Sequence, residues 1–407
     1  MPSIARKNLL LDIPRFLVAQ AGIMFAVSLV TIQTGLQYGF ARSASILIEK
    51  SQADIWVSAE NQVHIGLTLP IPYDSVEKAK KVIGVERSEA LIVNGSVWRD
   101  RNNNLNSVTF IGFAPEGKLF APWNITQGNI NSLKNPYTIL VDNTSLEGLS
   151  IKGIGDTGII GNLPAHIVGL TADTKSLIFG DITFTSLETA HAYETSPPNS
   201  KLPCLLANQN IHCSISQDNF AETPKKLSSQ DSITFVLVKA QAGQDLELLK
   251  KRLEAALPNT RAYTRQEMAL KTQQYWMERS GIGFVLGLGA VVGVIVGVVI
   301  VGQILYSSVS DHIREFGTLK AMGASDLSLY GIILEQSLWM AILGYIPGMA
   351  LCFGVAYWTA ATQGILILIT PASAVIVFGI TVIMCTSSAI FAIQKVTRVD
   401  PAIVFKA

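Results

Sequence analysis

The chain has 407 residues, a formal net charge of +1, 49% hydrophobic residues and only 15% charged ones. Its mean hydropathy is +0.37, and soluble domains carry about 25% charged residues, so the composition argues against a wholly soluble protein and for one partly in a membrane. A charge so near zero supplies no global basic field, which argues against a nucleic-acid partner.

Residues 1–15 mix Arg6, Lys7 and Arg15 with apolar residues and are expected to form an amphipathic cytoplasmic start. Residues 16–40 carry no charge and exceed the roughly 20 residues that a membrane-crossing helix needs. The stretch is too long for the apolar part of a signal peptide and has no clear small-x-small cleavage site before the polar region, so it is expected to be a first transmembrane helix and not a leader.

Residues 41–280 are enough for one or two folded domains. Strand-like runs fall at 54–58, 90–98, 107–113, 138–141, 165–170 and 232–238, and helix-like runs at 75–82 and 245–257. The centre, 114–224, is rich in Asn, Gly, Pro and Ser. It is expected to be an inserted subdomain flanked by two pieces of a first α+β subdomain. Cys204 and Cys213 lie in this centre. They would pair as a disulfide in an oxidising compartment and stay as two thiols otherwise.

Two glycine-containing runs imitate nucleotide loops. Gly153-Ile-Gly155-Asp-Thr-Gly158 matches G-x-G-x-x-G, but a dinucleotide fingerprint needs a strand before it and a helix after it. Here Ile159, Ile160, Gly161 and Pro164 follow, so a glycine-rich turn is expected. The run 169–176 resembles a Walker A loop but has Thr174 where the second glycine belongs. The sequence therefore offers no nucleotide site, no cofactor is expected on the chain, and any ATP and magnesium would be held by another subunit. His64, His166, His191 and His212 are scattered without metal-ligand spacing. No G-x-S-x-G or H-E-x-x-H is present, so neither a metal site nor a catalytic one is expected.

The stretch 265–279 has a helical pattern and is expected to run as a stalk straight into a second membrane helix at 281–306. There, Gly289, Gly293 and Gly297 recur every four residues. Close backbone approach at such a stripe replaces the hydrophobic drive that lipid removes. The stripe is expected to be a helix-packing or dimer seam. The loop 307–326 mixes charges with Ile313, Phe316, Leu319 and Met322, spaced three apart. A short helix would line these up as an apolar stripe, with Gly323 as a stop. Such a stripe suits docking into a groove of a cytoplasmic partner. Third and fourth membrane helices are expected at 327–358 and 365–393, followed by a tail at 394–407. Cys352 and Cys385 lie in these apolar runs and read as packing residues. Glu335 is the one charge inside the third helix. It lies roughly 12 Å from that helix's start and is expected to pair with Arg314 or Lys320, or to reach the interface. Pro347 is expected to kink the same helix.

Basic residues cluster before the first helix, between the second and third, and after the fourth, while 359–364 has no charge. By the positive-inside rule, both termini and the loop 307–326 are expected in the cytoplasm, and 41–280 outside.

The run Arg314-Glu-Phe-Gly-Thr-Leu-Lys-Ala-Met-Gly323-Ala324-Ser325 resembles the R-E-x-G-x-L-(R/K)-A-x-G-A-(S/T) signature of the FtsX/MacB-like superfamily of ABC transporter permeases. Ala5 to Leu10 resembles that family's amphipathic entry, Glu335 its third-helix "L-E" followed by Gly344 and Gly348, and Arg398-Val-Asp400-Pro401-Ala402 its C-terminal ending. The chain looks most like DevC-type permeases, with the weakest likeness over 114–224. The resemblance implies an integral α-helical membrane protein with four transmembrane helices and a large α+β extracytoplasmic domain. It implies a homodimer in the inner membrane, driven by a separate ABC ATPase through a coupling helix made of Ile313, Arg314, Glu315, Phe316, Leu319, Lys320, Gly323, Ala324 and Ser325. It further implies a membrane-fusion adaptor, a TolC-like outer-membrane channel, and export of a lipid-like or other hydrophobic substrate. Two rival readings are an FtsX-like transmitter that activates a periplasmic enzyme without transport, and a membrane-anchored hydrolase or receptor.

Overall fold

The computed structural model describes residues 13–176, 178–196, 204–207, 210–213, 223–279, 281–363 and 365–397. The amphipathic entry at Ala5 to Leu10, the Arg398 to Ala402 ending, and the side chains of Arg314, Cys204 and Cys213 lie outside the described residues. The chain divides into two compact units, Met1–Gly39 with Ser280–Ala407, and Phe40–Arg279.

Four helices are long and apolar enough to cross a membrane. They are α1 (Ile13–Lys50), α6 (Ile282–Asp311), α8 (Asp326–Gln363) and α9 (Pro371–Thr397). Glycine governs how they meet. On α6, Gly289 faces Gln33 of α1, Gly293 faces Leu29, and Gly297 faces Ala26 and Met384. On α8, Gly344 meets Ile23 and Gly348 meets Val27. The first helix is thus clasped on two sides through positions that lack a Cβ. Packing contact of this kind holds helices together where lipid gives no hydrophobic drive. Bonds between helices add to it: Ser388 Oγ donates to the Val298 carbonyl at 2.9 Å, and Tyr345 Oη to the Ala374 carbonyl at 2.8 Å.

In this unit the helices depart from the sequence expectations at their ends. The first and second run past residues 40 and 306, to Lys50 and Asp311. The fourth begins at Pro371, because residues 365–370 form an extended strap instead of helix. A reciprocal cap starts it: the Thr370 N–H donates to Ser373 Oγ and the Ser373 N–H to Thr370 Oγ1, with Pro371 at the first helical position. Pro347 lies inside α8.

The Phe40–Arg279 unit is built on one ten-stranded sheet. Its first half contains β1 (Ile55–Ala59), β3 (Val85–Arg99), β4 (Leu105–Phe113), β13 (Phe235–Ala240) and β14 (Thr260–Thr264). The strands β5 (Ile125–Gly128), β6 (Thr138–Asp142), β7 (Thr157–Ile160), β8 (Leu163–Thr171) and β9 (Asp181–Ser186) all come from the 114–224 stretch. They extend the same sheet through a parallel pairing of β4 with β9. Short pairs of β2 (Ile71–Pro72) with β12 (Ser232–Ile233), and of β10 (Cys204–Ala207) with β11 (Asn210–Cys213), stand apart from it. The β10–β11 register sets Cys204 opposite Cys213.

Both faces of the sheet are buried, so side chains alternate between two cores. Val236 and Val238 of β13 point to one, with helices α2 (Asp74–Lys80), α3 (Leu187–Thr195) and α4 (Leu246–Ala256). Phe235 and Leu237 point to the other, with Ile46 to Ile48 at the end of α1 and Met268 and Ala269 of α5 (Arg265–Arg279). The start of α5 is fixed by a capping box, in which the Glu267 N–H donates to Thr264 Oγ1 and the Thr264 N–H to Glu267 Oε2. The expected unbroken passage from this stalk into the membrane does not hold. Gly281 takes φ +68° ahead of α6, a left-handed conformation that interrupts a helix and suits glycine.

Candidate coupling site

The segment between α6 and α8 folds as a short helix, α7 (Ile313–Ala321). His312 closes α6 and opens α7 at φ −94°, ψ 18°. Its Nδ1 lies 2.9 Å from Glu315 Oε1, and the negative Glu315 also favours a helix's first turn. At the far end Gly323 takes φ +94°. The Met322, Gly323 and Ala324 N–H groups donate back to the Thr318, Lys320 and Leu319 carbonyls, which satisfies carbonyls that a helix end leaves without partners. Ser325 then starts α8, its Oγ accepting from the Ser328 N–H.

The expected apolar stripe exists, but its main anchor is used within the chain. Phe316 is 3% exposed and belongs to the membrane unit's core, and Leu319 and Ala324 pack on that core. Ile313 and Lys320 are half-buried, and Glu315, Thr318, Ala321, Gly323 and Ser325 are exposed. Met322 is 71% exposed. So Phe316 is not offered to a partner groove. A helix joined at both ends to membrane helices is folded back over them by its large apolar residue. The outward face is polar, with Met322 as its large apolar side chain.

Glu335 is half-buried in α8, and the side chain of Arg314, one of its two expected partners, lies outside the described residues. The glycines Gly289, Gly293 and Gly297 are enclosed by α1 and α9 of the same chain. The stripe is therefore a packing seam within the bundle.

The runs that imitated nucleotide loops are structural turns. After Gly153-Ile-Gly155 comes β7, a strand. In the Walker-like run, Thr174 is held by Asp142, whose Oδ2 accepts from the Thr174 N–H at 2.7 Å and from its Oγ1 at 2.8 Å. Among the described residues no cluster of His, Cys, Asp and Glu is placed to hold a metal. His64 stacks at 4.6 Å on Tyr275 and 5.1 Å from Trp276. Burial holds its imidazole below the usual histidine pKa.

Sequence reasoning missed the strap at residues 365–370. The Leu368 N–H donates to the Gly35 carbonyl at 3.0 Å, and a Cβ on Gly39 would overlap the Leu366 carbonyl. The signal was present in Thr370-Pro371-x-Ser373, a helix-start pattern.

Residues 16–256 match the family model described as MacB-like periplasmic core domain. This chain belongs to that family. Residues 287–401 match the FtsX-like permease C-terminal model, so the MacB-like chain is of the ABC permease type, and its four apolar helices fit a multi-pass membrane protein. A probable export ATP-binding/permease protein of Pseudomonas fluorescens is 21% identical over 81% of this chain and 44% of its own length. A probable syringafactin export ATP-binding/permease protein of Pseudomonas syringae is 20% identical over 68% of this chain and 38% of its own. A macrolide export ATP-binding/permease protein of Burkholderia lata is 26% identical over 51% and 26%. The MacB-like chain spans less than half the length of each of these relatives. The periplasmic region of MacB from Actinobacillus actinomycetemcomitans aligns with 54% of this chain and 92% of that one, at 10% identity and a TM-score of 0.34.

Proposed function

We propose that the chain is the permease subunit of an ATP-driven exporter, in which α7 receives movement from a separate ABC ATPase and the membrane helices carry it to the Phe40–Arg279 unit. The seating of α7 carries this reading: Phe316 is fixed in the membrane unit's core while Met322 and Glu315 face outward. A force on the outer face is then borne by the ends of α6 and α8 and is not absorbed by a slack loop. In this reading Ile313, Arg314, Glu315, Lys320, Gly323, Ala324 and Ser325 form the contact, and Phe316 and Leu319 anchor it. ATP and magnesium sit on the ATPase, and two copies of the chain work together in the inner membrane with both termini in the cytoplasm. A membrane-fusion adaptor and a TolC-like channel take the cargo onward. The names of two relatives speak of macrolide and syringafactin export; macrolides are large and mostly apolar, which supports a lipid-like or other hydrophobic cargo.

The test is affinity purification of the full chain from its native membranes. An ABC ATPase is expected to co-purify with the unaltered chain and to be lost with Met322→Asp, which changes an exposed side chain and leaves insertion intact. Equal recovery of the ATPase with both chains, or none with the unaltered one, would overturn the coupling role of this face.

A further inference from the structure

The glycine seam between α1 and α6 ends before the helices do. From Gly289 to Gly297 the two pack closely, and Gly22 still lets Ile300 touch the α1 backbone. Beyond that contact, towards the α7 end, a groove of about 620 Å³ lies along the two helices. Pro14, Val18 and Gly22, four residues apart on α1, form one wall; Ile300, Gln303 and Ser307, on one face of α6, form the other. This is within the range of ligand-sized cavities, roughly 300–1,000 Å³.

Two observations say what fills it. First, the groove is lined by an exposed residue of α1, which a membrane around the helix pair would set against acyl chains. Val18 lines it and is still 62% exposed. Second, Gln303 is exposed on α6, with apolar Gly302, Ile304 and Leu305 beside it and Ser307 one turn further on. It precedes Asp311 by eight residues, roughly 12 Å along the axis, near the level where hydrocarbon gives way to ester and phosphate groups. A primary amide there, facing lipid, loses its hydrogen bonds to water and needs a partner of its own.

We propose that this groove holds one glycerophospholipid of the adjoining leaflet, with an acyl chain along Val18, Gly22 and Ile300 and its ester and phosphate oxygens at Gln303 and Ser307. The site differs from the coupling face on α7, and it rests on the membrane embedding of the helices alone. Its effect is to fill the gap left where the glycine seam stops, so that α1 and α6 stay coupled towards the α7 end.

The test uses the full chain in a mild detergent, titrated with phosphatidylglycerol and followed by native mass spectrometry, with thermal unfolding as a check on the fold. The unaltered chain is expected to retain one lipid. Val18→Trp, which fills the groove from an exposed position, lowers that occupancy at least tenfold. Gln303→Leu, which removes the polar end, lowers it several-fold. Leu17→Trp, also exposed but not lining the groove, leaves it unchanged. Retention by Val18→Trp equal to the unaltered chain, or no retained lipid at saturation, overturns the proposal. So does a cross-link between copies through a cysteine at Val18, since a second chain would then occupy the groove.

Discussion

His64 illustrates how one residue sets a pH response. It is 7% exposed, and its Nδ1 accepts from the Gly66 N–H at 3.1 Å, an arrangement that only the neutral tautomer carrying its proton on Nε2 can make. Burial lowers its pKa in the folded chain, so the unfolded chain takes up the proton first. The stability it supports is therefore intact above the unfolded value near 6.5 and is lost as pH falls from there toward the lower folded value, where the loss levels off. The melting temperature of the full chain is expected to drop between pH 7 and pH 5.5, and the difference between unaltered chain and His64→Gln to shrink over the same interval. A difference that stays constant across that interval would show that His64 does not titrate with unfolding. Asp142 is a second case. It is fully buried and accepts from the Thr144 N–H and Oγ1 on one oxygen and the Thr174 N–H and Oγ1 on the other. Asp142→Ala strands these donors and is expected to lower stability by on the order of 3 kcal/mol, read by chemical denaturation followed through intrinsic fluorescence. The threonines that imitated a phosphate-binding loop in the sequence are thereby explained as anchors of a turn.

At the scale of elements, the strap at residues 365–370 and the helix α1 meet through two glycines. A Cβ on Gly39 would overlap the Leu366 backbone carbonyl, which no side-chain rotation can relieve, whereas Gly354 in α8 has nothing within 4 Å of its missing Cβ. Gly39→Ala is expected to destabilise the full chain by about 1–3 kcal/mol, as overpacking does. Gly354→Ala is expected to be neutral or stabilising by up to about 1 kcal/mol, from helix propensity alone. Thermal melts of both in one detergent decide this, and equal melting of the two would remove the strap's close approach. The same element shows what the sequence could tell. The four membrane helices were legible, because an uncharged run of this length has one economical structure in lipid. The strap was not, because Ile365-Leu-Ile-Leu-Ile reads as more membrane helix until Thr370 and Pro371 are recognised as a start. The strands β1, β3, β4, β6, β8 and β13 were visible from their apolar runs. Their shared sheet was not, since β1 pairs with β13 across some 180 residues and local periodicity is silent on such partners. The α7 stripe was legible too, but periodicity says only that a face is apolar. Whether Phe316 meets another protein or its own helices depends on tertiary packing.

For the whole molecule, the question that governs the rest is which side of the membrane each unit faces. A helix that crosses once presents its ends to opposite sides, so α6 separates the chain before Ile282 from the loop after Asp311. By the positive-inside rule, Arg314 and Lys320 in that loop predict that it is cytoplasmic and that the Phe40–Arg279 unit is outside. Two exposed residues allow a direct reading. Ile83, between α2 and β3, is 81% exposed, and Met322, after α7, is 71% exposed. Cys352 and Cys385 are buried in the membrane unit, so replacing Cys204 and Cys213 by serine leaves a quiet background for labelling. In spheroplasts, Ile83→Cys is expected to react with a membrane-impermeant maleimide within minutes, and Met322→Cys only once the membrane is permeabilised. The reverse pattern would place the β-sheet unit in the cytoplasm and α7 outside. An ATPase would then have no access to the helix, and the coupling mechanism would fail with it.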